Sequence, residues 1–223
     1  PLPKGRKAKA RVDAPPGSPV EVEGTIDGPI GDHLRLLRET PLSADFGDLA
    51  RHLQGSGNLK VDLDLAVPFA GTPKERERLE GTLSFAGNEL RLAGWPLPLE
   101  SLHGRVGFDL RGLRGKAIEG QLLGSPTIID VQTGKTGVTT ITAGLRRLEV
   151  RALDPLTGGA LTHLRGAAAV KATVDVPPLG TKGKLIVRLE SDLKGVNSDL
   201  PVPLDKAAET ARPLAIELGF PPD

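Results

Sequence analysis

GTLSFAGNELRLAGWPLPLESLHGRVGFDL, residues 81–110, alternates apolar and polar side chains over most of its length. Leu83 and Phe85 share one side against Thr82, Ser84 and Ala86, and Leu90 and Leu92 resume the pattern. Val106, Phe108 and Leu110 repeat it against Arg105, Gly107 and Asp109. A period of two puts successive side chains on opposite faces of an extended chain, so each run predicts a strand with one apolar face. Gly87-Asn88, between the first two runs, predicts a hairpin turn. Pro96 and Pro98 lack amide donors, so WPLPLESL predicts a loop outside the hydrogen-bonded ladder.

The same alternation extends outward. In NLKVDLDLAVPF, Leu59, Val61, Leu63, Leu65 and Val67 oppose Lys60, Asp62 and Asp64 until Pro68 ends the run. Val20 to Ile26 alternates with Glu21, Glu23 and Thr25. Downstream, through LRGKAIEGQLLGSPTIIDVQTG and GVTTITAGLRRLEVRAL, the pattern is less regular and is punctuated by Gly112, Gly115, Gly120, Gly124 and Gly134. That rhythm predicts an antiparallel meander rather than strands separated by helices. Two short helices are expected, at Asp32–Arg38 and at Asp45–Leu53, the second stopped by Gly55-Ser56-Gly57. TPKERER, ahead of Leu79, is a charged hairpin tip or loop. The first nineteen residues carry Lys4, Arg6, Lys7, Lys9 and Arg11 without apolar periodicity. They are expected to form a solvated linker or loop, with contact to anionic lipid head groups as the alternative.

Two strings recur in the same order. WPLPLE at 95–100 matches LPVPLD at 200–205, an offset of 105. HLQGSGNLKVDLDLAVP at 52–68 resembles HLRGAAAVKATVDVP at 163–177. The expectation is a tandem repeat of about 105–110 residues, with modules over 20–130 and 131–223 after the 1–19 segment, stacked into one elongated sheet.

Composition excludes several classes of function. Lys plus Arg is 29 against 28 for Asp plus Glu, and aromatic residues make up 3% of the chain, so neither a cationic field nor stacking platforms for nucleic acid are present. There is no cysteine, hence no disulfide or thiolate metal site. No apolar run approaches the roughly 18 residues of a spanning helix. The absence of methionine and the start at Pro1 predict an internal piece of a larger protein.

Catalytic signatures are missing too. Gly134-Lys135-Thr136 ends like a phosphate-binding loop, but Ile129 stands where the leading glycine belongs. There is no G-x-S-x-G; Ser56 only sits between two glycines. His33, His52, His103 and His163 lack ligand spacing, and His52 and His163 occupy equivalent repeat positions, which suits packing better than metal. Asp62 and Asp64 share a strand face and suit solvation better than calcium, because nothing nearby supplies further ligands. Trp95 is expected to anchor its loop. The chain is therefore expected to be no enzyme and to need no cofactor or metal.

The succession GPIGDHLRLLRETPL, SGNLKVDLDLAVPF, LEGTLSFAGNELRLAGWPLPLESLHGRVGFD, QLLGSPTIIDV and LESDLKGVNSDLPVPLDKAAETARPL resembles the central periplasmic region of the YhdP family of AsmA-like envelope proteins, from about residue 20 onward. The resemblance implies a Gram-negative protein anchored by an N-terminal helix in the inner membrane. Its long β-groove would carry phospholipids toward the outer membrane and support the permeability barrier. This chain is expected to be a piece of such a protein that lies outside its anchor and both of its ends.

The expected fold is mostly β: an elongated, curved antiparallel sheet forming a groove, with a few short helices. Acyl chains would lie along aliphatic side chains that offer them no hydrogen bonds. The groove-facing candidates, chosen by alternation, are Val61, Leu63, Leu65, Leu83, Phe85, Val106, Phe108, Val170, Val174, Val187 and Leu189. A closed β-sandwich would use the same residues as core. A structural or interaction module, or TamB-like assistance to outer-membrane protein assembly through a sheet edge, are the other readings of function.

Overall fold

The computed structural model describes residues 7–11, 20–39, 53–67, 78–92, 97–178, 181 and 183–220. In chain order these form β1 (Lys7–Arg11), β2 (Val20–Pro29), α1 (Ile30–Glu39), β3 (Leu53–Ser56), β4 (Asn58–Val67), β5 (Arg78–Leu92), β6 (Leu99–Asp109), β7 (Gly112–Leu122), β8 (Ser125–Thr133) and β9 (Thr139–Glu149). A 3-10 turn at Val150–Leu153 leads into α2 (Asp154–Thr157), then β10 (Leu164–Val176), β11 (Leu185–Ser191), β12 (Val196–Ser198) and β13 (Leu214–Phe220).

The strands join in one open antiparallel sheet in the order β1-β2-β4-β5-β6-β7-β8-β9-β10-β11-β13, with β3 on β5 and β12 on β10. At a strand spacing of about 4.8 Å, this path extends about 48 Å. Of the strings that repeat in sequence, 52–68 covers β3 and β4 where it is described and 163–177 covers β10, while Leu99-Glu100 of the first proline string begin β6 and the second, 200–205, lies between β12 and β13. Among the described residues no helix is long and apolar enough to cross a membrane.

Within the segment expected to be a linker, Lys7–Arg11 form β1. Its register sets Lys9 opposite Glu23 and Arg11 opposite Glu21 in the ladder with β2. α1 covers the first predicted helix and begins two residues earlier. The second expected helix lies outside the described residues except for Leu53, which starts β3; Gly55 and Ser56 continue that strand instead of ending a helix. The 72–78 run is described only at Arg78, inside β5, and the other residues of that run lie outside the described residues, as do His52 and Trp95.

The hairpin expected at Gly87-Asn88 does not form. β5 runs straight through as one strand of 15 residues, and Gly87 (φ +82°) is a bulge. Asn88 is wholly buried. Its Oδ1 accepts the Ala86 N–H at 2.8 Å, and its Nδ2 donates to the Asn58 carbonyl at 2.8 Å and the Ser56 carbonyl at 3.4 Å. The amide thus satisfies the backbone groups that the bulge leaves unpaired, and no reversal of the chain is needed.

Similar irregularities cross the middle of the sheet. Ser101 in β6 (φ +50°) and Ala117 in β7 (φ +52°) mark register shifts, and Asp130 Oδ1 accepts the Ala117 N–H at 2.8 Å. Each bulge inserts one residue and switches which parity faces the apolar side: 113 and 115 in β7, then 118, 120 and 122. Bulges also bend strands and increase their local twist. Leu102, Ile118, Ile129 and Leu145, from four successive strands, form a buried cluster on that face, each at most 4% exposed.

Candidate functional site: a continuous apolar face

Register, read strand by strand, draws one unbroken apolar row across the sheet. Ile26, Val61, Leu83 and Val106 are successive cross-strand partners in β2, β4, β5 and β6. Val131, Ile141, Val174, Val187 and Leu218 continue the row through β8, β9, β10, β11 and β13. Gly115 of β7 joins the halves: it pairs with Val131, and a Cβ there would stand 3.1 Å from Val106 Cγ2. A second row runs Ile118, Ile129, Ala143, Ala172, Leu189 and Ile216.

All eleven candidates chosen by alternation lie on this face. Val61, Leu83, Val106, Val174 and Val187 stand in the first row, and Leu189 in the second. Leu63 pairs with Gly81, which pairs with Phe108; Leu65 faces Leu79; Phe85 faces Leu59; and Val170 faces Leu145. Val61, Val106 and Val187 are buried and the other eight are partly exposed. The face also contains residues that alternation did not select, above all Leu113, Ile118, Ile129, Val131, Ile141, Ala143 and Leu145 of β7–β9. TIIDV at 127–131 was the available signal for two of them, since Ile129 and Val131 share a parity.

The connections differ between the two rims. On the rim where β2, β5, β7 and β9 end, the described chain carries α1, the 150–163 segment and the 192–213 segment. Two of these fold back over the apolar face. Ile30 and Leu34 of α1 join Leu59 and Val61 in one buried cluster, with Leu53, Leu83, Phe85, Leu90 and Phe108 packed against it. Ala152 and Leu153 pack on the central cluster. Burying Ile30 and Leu34 contributes about 1.5–3 kcal/mol each. The opposite rim is made in part of tight connections, such as Leu110-Arg111 and 134–138. At the far end, Leu214, Ile216, Leu218 and Phe220 of β13 remain 39–44% exposed.

The other face is polar and internally paired. Thr25 Oγ1 donates to Asp62 Oδ1 at 2.6 Å, and Lys60 Nζ lies 3.4 Å from the other oxygen of that carboxylate. The Thr25 hydrogen bond, with help from Lys60, holds the Asp62 carboxyl below its ordinary pKa. Asp64 pairs with Arg78 at 2.8 Å. At the other end Asp175 accepts from Thr140 Oγ1 at 2.7 Å and pairs with Arg188, and its pKa is likewise lowered, first by the Thr140 bond and then by Arg188. Arg188 also reaches Glu217 at 2.8 Å. These carboxylates are committed to neighbours on adjacent strands, and among the described residues no group of His, Cys, Asp and Glu is arranged to hold a metal.

Of the other sequence candidates, those that are described make local hydrogen bonds. Gly134–Val138 is a closed turn, with the Gly134 N–H on the Val138 carbonyl at 2.8 Å. His103 is exposed and its Nδ1 donates to the Ser101 carbonyl at 2.9 Å, while His163 accepts the Asp199 N–H through its backbone carbonyl at 3.0 Å. The LPVPLD loop is held by its neighbour Lys206, a buried lysine whose Nζ donates to the carbonyls of Val196 and Ala207 at 2.7 and 3.0 Å.

A long polar-backed sheet with one aliphatic face is the geometry on which comparison with known proteins bears. The family described as "YhdP protein" matches residues 7–223. The chain belongs to the YhdP family. A relative in Escherichia coli (strain K12), named "Intermembrane phospholipid transporter YhdP", is 26% identical over 228 aligned residues. That alignment covers 97% of this chain and 16% of the relative, so the chain corresponds to about one sixth of the YhdP protein it resembles. No solved structure matches the chain.

Proposed function

We propose that the chain is a segment of a periplasmic lipid carrier whose apolar face conducts phospholipid acyl chains between the inner and outer membranes. The observation that carries this reading is the aliphatic row from Ile26 to Leu218, which crosses ten strands without a polar side chain. Its residues present acyl tails with no donor or acceptor, so many lipids would fit and none would be held by a specific bond. Head groups would stay in water, because burying an unpaired phosphate costs many kcal/mol. Transfer along such a face is passive and needs no catalytic residue. The name of the Escherichia coli relative supports a phospholipid as cargo. In the whole protein, anchored in the inner membrane, this transfer would support the outer-membrane permeability barrier. The repeated strings further support two modules, 20–130 and 131–223, that share one face.

Native mass spectrometry with lipid extraction, on the 223-residue chain purified from a bacterial envelope, tests the reading. Bound phospholipid in the parent chain, lost in Leu63→Glu while circular dichroism stays unchanged, is the expected result. A lipid-free parent chain contradicts it.

A further inference from the structure

The apolar face is not equally accessible along its length. Where β3 and β4 follow one another along β5 it is already occupied, by the chain's own α1. Ile30 and Leu34 are 3% and 6% exposed there, in a cluster with Leu59 and Val61. The fit depends on Gly55 of β3: a Cβ at that position would stand 2.8 Å from Ile30 Cγ2, inside van der Waals contact. Two branched aliphatic side chains thus lie across the same row that continues past α1 toward Leu218.

Among the described side chains the attachment is slight. α1 has ten residues, a length at which an isolated helix is marginal in water, and Ile30 and Leu34 are its buried hydrophobic residues among those described. Docking also leaves a polar group unpaired. His33 Nδ1 donates to the Pro29 carbonyl at 3.0 Å, and Nε2 is buried without a partner. An unpaired buried acceptor disfavours the docked state relative to one in which the ring meets water.

We infer that Leu59, Val61, Leu83 and Phe85 form an acyl-chain subsite that α1 closes, with Ile30 and Leu34 standing where a lipid tail would lie. This rests on the lipid-carrying reading above. An acyl chain entering the subsite buries the same carbon surface that α1 gives up, so the exchange costs little and loading is set by how often α1 is displaced.

The chain contains no cysteine, so the double variant Ile30→Cys/Gly55→Cys offers a single possible disulfide. Uptake would be read by dequenching of fluorescent phosphatidylethanolamine from vesicles of phosphatidylethanolamine and phosphatidylglycerol. The reduced double variant, which carries the same crowding of Gly55 against the Glu89 carbonyl, is the reference. Oxidation is expected to lower uptake at least about tenfold, and reduction to restore it. Leu34→Asp, which unseats α1 without a cross-link, is expected to load at least as fast as the parent chain. Equal uptake by oxidised and reduced protein, with Leu63→Glu still abolishing it, overturns the subsite and leaves the carrier reading standing. No uptake by the parent chain overturns both.

Discussion

The ring of Phe108 covers Gly81, its cross-strand partner, so closely that any side chain at Gly81 would collide with it. The same Cβ would stand 2.6 Å from the Asp62 carbonyl on the neighbouring strand. Phe108 therefore paves a gap that glycine leaves in the floor, and the pair behaves as one packing unit.

Gly81→Val should destabilise the chain by about 1–3 kcal/mol, the usual penalty for overpacking. Adding Phe108→Ala should recover part of the loss and no more, because the Asp62 carbonyl stays in place. Urea denaturation of the two singles and the double gives the coupling directly; strictly additive losses would show that the ring does not fill the space above Gly81.

Asn88 carries a different burden. Asn88→Ala would strand the Ala86 N–H and the Asn58 carbonyl, each costing about 1–3 kcal/mol when unpaired and buried. Asn88→Asp should be nearly as damaging, since it keeps the acceptor and loses the donor. Thermal melts of both variants check this, and an Asp variant as stable as the parent would refute the assigned roles of the two amide atoms.

Acid sensitivity follows from Asp175. Its folded-state pKa is lowered, so its contribution is present at neutral pH, above the unfolded-state pKa, and is lost as pH falls through the lower folded value. The parent chain should therefore lose stability below about pH 4 more steeply than Asp175→Asn. Thr140→Val, which removes the leading cause, should shift that loss to higher pH. Denaturant midpoints measured between neutral and strongly acidic pH provide the check, and parallel curves for parent and Asp175→Asn would contradict it.

The outer parts of the sheet were legible because their alternation is unbroken: Leu59 to Leu65 in β4 and Val170 to Val174 in β10 keep one parity throughout. The middle was not, and the reason is the bulges. In β7 the inserted residue moves the apolar positions from Leu113 and Gly115 to Ile118, Gly120 and Leu122, so a fixed period of two loses half the strand. In β5 the same device at Gly87 has the local chemistry of a hairpin, and only Asn88 reaching the carbonyls of β3 and β4 distinguishes the two. β1 was hidden because KAKAR carries no alternation of large apolar residues, and its backbone ladder with β2 leaves no mark in the local sequence. Which stretch of the face α1 covers depends on Gly55, and nothing local to residue 55 indicates that a helix side chain needs its space.

The proposed carrier role requires lipid tails to travel on the aliphatic face and on no other. Leu189 and Glu190 are neighbours in β11 whose side chains point to opposite sides of the sheet, and neither lies under α1. A photoreactive amino acid placed at each in turn, with irradiation in intact bacterial envelopes, tests the claim most directly. Phospholipid adducts are expected from position 189 and none from position 190. Adducts of equal yield from both, or from 190 alone, would contradict it.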